Sequence, residues 1–228
     1  GYRLEMPDDS PFRAHWWYRS EFEVPVNYEG KNIYLLLHSI NYKANIWING
    51  RLLADTTKIE GAFRLFELDI TEYATPGKLN AIALEIVPPT GTDPSIRWMQ
   101  GTRLPPDNDA GIWYDVKIKS GGAIHIKDTY VSTKLNLPSV DKAKLTITAA
   151  LVNKAPKNEA GVVVGTITQV NNINEGGTSA GGKEKISFSQ KINLKKGDTI
   201  RFSKQLEVRN PKLWWPVHVG EQNLYELV

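Results

Sequence analysis

Apolar and polar residues alternate with a period of two along most of this chain. In Tyr42-Lys43-Ala44-Asn45-Ile46-Trp47-Ile48 the alternation is followed at once by Asn49-Gly50 and then Arg51-Leu52-Leu53. Asn and Gly both tolerate positive φ, so this spacing predicts a two-residue type I′ hairpin between two strands. Similar runs predict strands at 17–24, 33–38, 63–70, 79–87 and 114–120, then at 124–135, 144–152, 161–170, 184–194, 199–208 and 224–228. Turn signals separate them: Thr75-Pro76-Gly77-Lys78, Lys195-Lys196-Gly197-Asp198 and the Gly/Ser/Asn-rich stretch 171–182. No window of ten or more residues sustains a helical period. Many short strands with regular turns predict an all-β protein of two antiparallel sandwiches, the second of immunoglobulin size.

Composition sharpens the division. Residues 1–122 carry 13 Lys+Arg against 16 Asp+Glu, whereas residues 123–228 carry 15 against 9. Five of the seven tryptophans lie in the first part. Gly121-Gly122 joins these unlike halves, and a double glycine has a flexible backbone with nothing to pack. The expected domains are therefore 1–121 and 122–228. No apolar run approaches the ~20 residues that span a bilayer, so no membrane span is expected. Cysteine is absent, which excludes disulfides, thiolate metal sites and thiol nucleophiles. The chain opens Gly1-Tyr2-Arg3-Leu4-Glu5 without an export signal and stops inside a strand-like run, so it reads as a piece of a longer polypeptide.

Catalytic signatures are missing. His15, His38, His125 and His218 show no metal-ligand spacing. There is no serine elbow of the GxSxG kind, no P-loop and no GxGxxG followed by a helix. Basic residues are spread along strands and turns, which speaks against a nucleic-acid partner. No catalytic residue, cofactor or metal is expected.

One segment has the composition of a binding loop: 96–113, with Trp98, Gln100, Arg103, two adjoining prolines, Asp107, Asp109 and Trp113. Loops longer than about a dozen residues in a compact domain are usually functional or disordered, and tryptophan and proline argue for order. Sugars are held by aromatic faces against their C–H surfaces and by planar polar groups on paired hydroxyls. Trp98, Gln100, Arg103, Asp107 and Asp109 are the sugar-contact candidates. The alternative is that Trp98 and Trp113 cap the sandwich core while Asp107 and Asp109 make turn hydrogen bonds. Asp107-Asn108-Asp109 falls short of the six to eight oxygens of a Ca²⁺ site.

Several strings, in order, resemble the non-catalytic N-terminal domains of family 2 glycoside hydrolases, in the branch of the exo-β-glucosaminidases and β-mannosidases. They are Trp17-Tyr18-Arg19-Ser20-Glu21-Phe22, Asn41 to Gly50, Gly61 to Thr71, Gly111-Ile112-Trp113-Tyr114-Asp115-Val116 and Leu213-Trp214-Trp215-Pro216. The resemblance implies a galactose-binding-like jelly-roll sandwich followed by an immunoglobulin-like β-sandwich. It also implies a (β/α)8 barrel elsewhere in the parent, carrying two catalytic glutamates of a retaining mechanism. Such a barrel needs ~250 residues, so this chain is expected to be inactive alone and to brace the barrel. The first domain would offer the 97–110 loop to the substrate cleft, and the Trp214-Trp215 string would pack at the interdomain corner. Polysaccharide-degrading members are commonly exported, which leans toward a periplasmic or secreted location. Departures from the family pattern bear on this role. Gln100-Gly101 stands where an Asp-Trp pair is usual, so the carboxylate and indole of that pair are lost. Tyr114 replaces a common Arg, and the family's opening strands are shortened or absent upstream of Trp16, so an incomplete sandwich edge is expected. A stand-alone carbohydrate-binding module and a purely structural pair of sandwiches remain the competing readings.

Overall fold

The computed structural model describes residues 11, 14–96, 109–173 and 179–228. The chain divides into two compact units, Gly1–Gly122 and Ala123–Val228. Both are built from strands.

In the first unit β1 (Trp16–Glu23), β4 (Lys43–Ile48), β5 (Arg51–Ala54) and β7 (Leu79–Val87) form one antiparallel sheet in the order β1-β7-β4-β5. A second sheet, in the order β6-β2-β9, joins β2 (Asn32–His38), β6 (Leu65–Asp69) and β9 (Val116–Gly121). The period of two explains why they stack. Ala44, Ile46 and Ile48 of β4, with Ile82, Leu84 and Ile86 of β7, meet Ile33, Leu35 and Leu37 of β2 in one buried cluster. Each such large side chain contributes roughly 1.5–3 kcal/mol on burial. Ile48 pairs Arg51 across the expected two-residue loop, and Asn49 and Gly50 both take positive φ (49° and 77°).

Two short strands escaped the periodicity: β3 (Ile40–Asn41) pairs β8 (Gly111–Ile112) in a two-residue ladder. Runs of two residues carry no period to read. The strand expected at 114–120 starts only at Val116. The one expected at 63–70 starts at Leu65.

Among the described residues one edge of the first sandwich is open. Every residue of β1 except Phe22 is exposed, although Tyr18 and Ser20 share a face with the buried Leu84 and Ile82 opposite them. Between β1 and β9 lies a groove of about 380 Å³, floored by Phe22, Leu35, Leu84 and Ile118.

In the second unit β10 (Ile124–Leu135), β11 (Lys142–Asn153) and β14 (Thr199–Arg209) form one sheet in the order β10-β11-β14. Facing it is a sheet in the order β13-β12-β15, from β12 (Glu159–Ile173), β13 (Ser179–Leu194) and β15 (Leu224–Leu227). Leu145, Ile147, Leu151, Ile167, Phe188, Leu194 and Phe202 form its core. The ring of Phe188 fills the space over Gly165 directly opposite it and lies parallel to Phe202, with centroids 6.2 Å apart.

The polar stretch 171–182 departs from expectation. β12 runs on to Ile173 and β13 begins at Ser179, with Val170 opposite Gly181 and Ile173 opposite Ser179. Ladder hydrogen bonds use only the backbone, so a hairpin arm beyond the core needs no apolar pattern and leaves no trace of one.

Candidate functional site

The two feet of the sequence-nominated loop stand together at one end of the first unit. β7 runs out into a turn in which Thr90 donates twice to the Asp93 carboxylate, from its amide and its hydroxyl, each at 2.7 Å. Burial pushes the Asp93 carboxyl up, but the Thr90 bonds outweigh it and hold the group below its ordinary range. Ser95, fully buried, follows with its amide on the Asp93 carbonyl at 2.8 Å. On the other side Asp109 is a half-buried turn residue at φ 52°, and its carbonyl accepts a 2.9 Å bond from Asn41 Nδ2. The short β3–β8 ladder thus anchors one foot of the loop to the strand that leads into the core.

Gly111 is required at that anchor. Its φ of 153° lies outside the range that L side chains readily adopt, and a Cβ there would stand 2.8 Å from Tyr18 Oη. Gly111→Ala is expected to lower stability by about 1–3 kcal/mol. Tyr18→Phe removes the contacting oxygen, so the double variant should recover part of that loss in a denaturant-unfolding cycle. Equal costs with and without the hydroxyl would disprove the contact.

Beneath the feet sits a polar platform. Tyr42 is buried and donates from Oη to Glu60 Oε1 at 3.2 Å, while Lys43 Nζ lies 3.8 Å from Glu60 Oε2. Arg64 Nη1 donates to the Glu60 carbonyl at 2.8 Å. Burial, then the Glu60 charge, raises the Tyr42 phenol above its ordinary range, so it stays a neutral donor.

Beside the platform three aromatic rings face outward. Phe63 meets Trp113 edge-on at 5.6 Å, and Trp113 meets Tyr114 at 5.1 Å. All three are substantially exposed, and Trp113 Nε1 donates to the Ala62 carbonyl at 3.2 Å. Trp113 therefore does not cap the core. It is pinned at its nitrogen with its ring at the surface, an arrangement suited to a C–H-rich partner.

Of the five sugar-contact candidates, Asp109 alone is among the described residues; Trp98, Gln100, Arg103 and Asp107 lie outside them. Asp109 offers its carbonyl to Asn41 and stands at the loop foot. Sequence reasoning passed over Phe63, Tyr114, Asn41 and the Tyr42–Glu60 pair. A signal existed for the first two: an aromatic next to a charged residue, Phe63-Arg64 and Tyr114-Asp115. Among the described residues no group of three or more His, Asp or Glu side chains gathers as metal ligands, and no helix is long and apolar enough to cross a membrane.

A second surface patch lies on the outward face of the first sheet. Trp17 stacks on Trp47 at 5.1 Å, and beside them Glu85 accepts 2.8 Å bonds from Asn45 Nδ2 and His15 Nδ1. The Asn45 bond, then the His15 bond, holds the Glu85 carboxyl below its usual range.

In the second unit Trp214 and Trp215 are both about half exposed. They belong to a small closed loop in which Trp215 N donates to the Glu221 carbonyl and Gln222 Nε2 to the Trp215 carbonyl.

Comparison with known proteins joins these features. Residues 9–115 match the galactose-binding-like domain model of glycosyl hydrolase family 2, and residues 124–228 match the model named for the family itself. The chain belongs to glycosyl hydrolase family 2. The exo-β-D-glucosaminidase of Amycolatopsis orientalis is 30% identical over 217 residues, covering 95% of this chain and 19% of that protein. A β-galactosidase of Thermoanaerobacter pseudethanolicus is 27% identical over 218 residues, 92% of this chain and 25% of its own length. The solved exo-chitosanase of Amycolatopsis orientalis, in complex with PNP-β-D-glucosamine, superposes with a TM-score of 0.71 at 29% identity, over 92% of this chain and 22% of that one. The chain thus spans about a fifth to a quarter of the relatives it matches. What matches is their N-terminal pair of domains, the galactose-binding-like sandwich and the immunoglobulin-like one, and not a catalytic barrel. The all-β architecture agrees with that part of the family.

Proposed function

We propose that this chain is the accessory portion of a β-glycosidase: its two sandwiches brace a (β/α)8 barrel elsewhere in the parent, and the loop end of the first unit lines the rim of the substrate cleft. The observation that carries this is the pairing of the two family matches, in order, with a chain that covers only about a fifth to a quarter of its glycosidase relatives. The reaction class is hydrolysis of a β-linked glycan in the parent. Substrate contact on this side falls to the 97–110 loop and to the rings of Phe63, Trp113 and Tyr114, while Asn41, Glu60 and Gly111 position them.

Two hydrolysis assays test the reading. The isolated 228-residue chain is expected to leave p-nitrophenyl β-glucosaminide, β-mannoside and β-galactoside intact, and the parent to turn over at least one of them. Turnover by the isolated chain at an enzyme-like rate, or a parent inactive on every β-glycoside, overturns it.

The exposed aromatic cluster also favours a second reading, a carbohydrate-binding module that holds glycan without a barrel. Calorimetric titration of the isolated chain with glucosamine, mannose and galactose oligosaccharides separates the two. Millimolar or tighter binding that is lost in Trp113→Ala supports the module.

A further inference from the structure

The outward face of the β10-β11-β14 sheet gathers positive charge from three strands. Register sets its rows. Lys127 and Arg201 flank Ala150, Tyr130 and Ser203 flank Thr148, and Ser132 and Gln205 flank Thr146. Lys134 and Glu207 then flank Lys144, and Arg209 lies opposite Lys142. The alternate positions of β11, among them Leu145, Ile147 and Leu151, are buried in the core, so these rows point away from it. Lys127, Lys134, Lys142, Lys144, Arg201 and Arg209 are all exposed, and Glu207 is the one carboxylate within the rows. Two more acids border the face: Asp128 in the β10 bulge, and Asp141, whose carboxylate already accepts from Ser139 and Asn136.

This distribution works against the sheet that carries it. Like charges directly opposite each other destabilise a ladder, yet Lys134 stands opposite Lys144 and Lys142 opposite Arg209. Glu207 offsets only part of this, with its Oε1 3.5 Å from Arg209 Nε. The strands do not need these cations, since the middle rows of the same face are built from Ser, Thr and Gln. The patch was hidden in the sequence because its members come from strands far apart along the chain. A local departure from what stabilises a fold marks a surface shaped by something other than folding.

We propose that this face binds an anionic polysaccharide, a polymer with carboxylate or sulfate groups along its chain. It lies along the strands from the Lys127–Arg201 row to the Lys142–Arg209 row. On β11 those ends stand eight positions apart, about 26 Å at roughly 3.3 Å per residue, which suits an extended polymer and not one small anion. Between them Tyr130, 65% exposed, offers its ring to a sugar's C–H surface. Ser132, Thr146, Thr148, Ser203 and Gln205 offer hydroxyls and an amide to sugar hydroxyls. A lipid surface fits less well, because the rows carry no large aliphatic side chain to insert. The choice of a polysaccharide among polyanions rests on the reading that the parent is a β-glycosidase; the face would keep that enzyme on its polymer.

Calorimetric titration of the 228-residue chain and of the parent with polygalacturonate, dextran sulfate and neutral dextran tests it. Both proteins are expected to bind one or both charged polymers in about 50 mM NaCl, to ignore dextran, and to lose binding in about 0.5 M NaCl. The two charged polymers separate a carboxylate ligand from a sulfate one. The quadruple variant Lys134→Gln, Lys142→Gln, Lys144→Gln, Arg209→Gln should bind about tenfold or more weakly. Its Tm at low salt should rise by about 1–4 °C as the like-charge pairs are relieved. Removing the same number of charges by Lys185→Gln, Lys191→Gln, Lys195→Gln and Lys196→Gln, on β13 of the opposing sheet and the turn after it, should change binding about twofold or less. No binding to either charged polymer, or equal weakening by the two quadruple variants, overturns the proposal. So does a Tm that falls in the first variant, which assigns the cations to the fold. Tighter binding to duplex DNA or to phosphatidylglycerol vesicles than to either polymer overturns it too. Hydrolysis of p-nitrophenyl β-glycosides by the parent is assayed separately and should be unchanged in the first variant. A parent that binds the polymer but cleaves no β-glycoside fails the functional reading and leaves the binding face in place.

Discussion

Asn80→Ala is expected to destabilise the first unit by about 3–5 kcal/mol, as much as the loss of a large core side chain. Asn80 sits on the inward face of β7 at 2% exposure, in line with Ile82, Leu84 and Ile86. Its amide is saturated. Oδ1 accepts from Thr75 N and from Asn49 Nδ2, both at 2.8 Å, while Nδ2 donates to the carbonyls of Thr75 at 3.0 Å and Lys78 at 2.8 Å. Asn49 continues the network to the Tyr73 carbonyl at 2.9 Å and to Ala81 N at 2.8 Å. One side chain therefore ties the β4–β5 hairpin to the turn before β7. Alanine leaves backbone groups without partners, each costing about 1–3 kcal/mol where water cannot reach. Asn80→Asp should be nearly as damaging, because a carboxylate offers only acceptors to the two carbonyls that Nδ2 now serves. Asn32→Ala is the control: its Nδ2 reaches the Gly122 carbonyl at 2.8 Å in an exposed setting, and the loss should stay below about 1 kcal/mol. Urea unfolding followed by tryptophan fluorescence reads all three. A midpoint for Asn80→Ala no lower than that of Asn32→Ala rejects the network.

Strand positions were legible in the sequence wherever burial on one face imposed a period of two. β4, β7 and β11 alternate in burial almost without exception, and each was expected within two residues of its bounds. Asn49-Gly50 was legible for another reason, since few residue pairs take two positive φ values in succession. What stayed hidden obeys other rules. The β3–β8 ladder is too short to show a period. The outer parts of β12 and β13 pair through the backbone ladder, which needs no apolar pattern. Asn80 was invisible because a polar residue in a strand normally reads as solvent-facing, and only the meeting of two distant turns makes it a core residue.

The site was legible by composition and not by geometry. A tryptophan- and proline-rich stretch singled out the loop, but nothing local tells that Asn41 reaches Asp109 across 68 positions, or that Trp113 reaches the carbonyl of Ala62. The resemblance to family 2 rested on the order of many weak strings, and order is a global property. It survives the substitution at Gln100-Gly101 that removes the family's usual carboxylate and indole. Family membership and sugar specificity are thus read from different residues, which is why the first is secure while the sugar class rests on the parent's assay.

Leu151→Ala is expected to have the largest effect in the second unit, about 3–4 kcal/mol, or a fall in Tm of roughly 15–25 °C for a unit of this size. Leu151 and Leu194 are its largest fully buried side chains. Truncating Leu151 leaves a void that the rigid pleat cannot close, so the cavity cost adds to the lost transfer energy. Val164→Ala on β12, at 66% exposure, is the matched control and should shift the midpoint by less than about 0.5 kcal/mol. Differential scanning calorimetry on the two variants measures this. A Leu151→Ala loss below about 1 kcal/mol would mean that the core around β11 is looser than its burial implies.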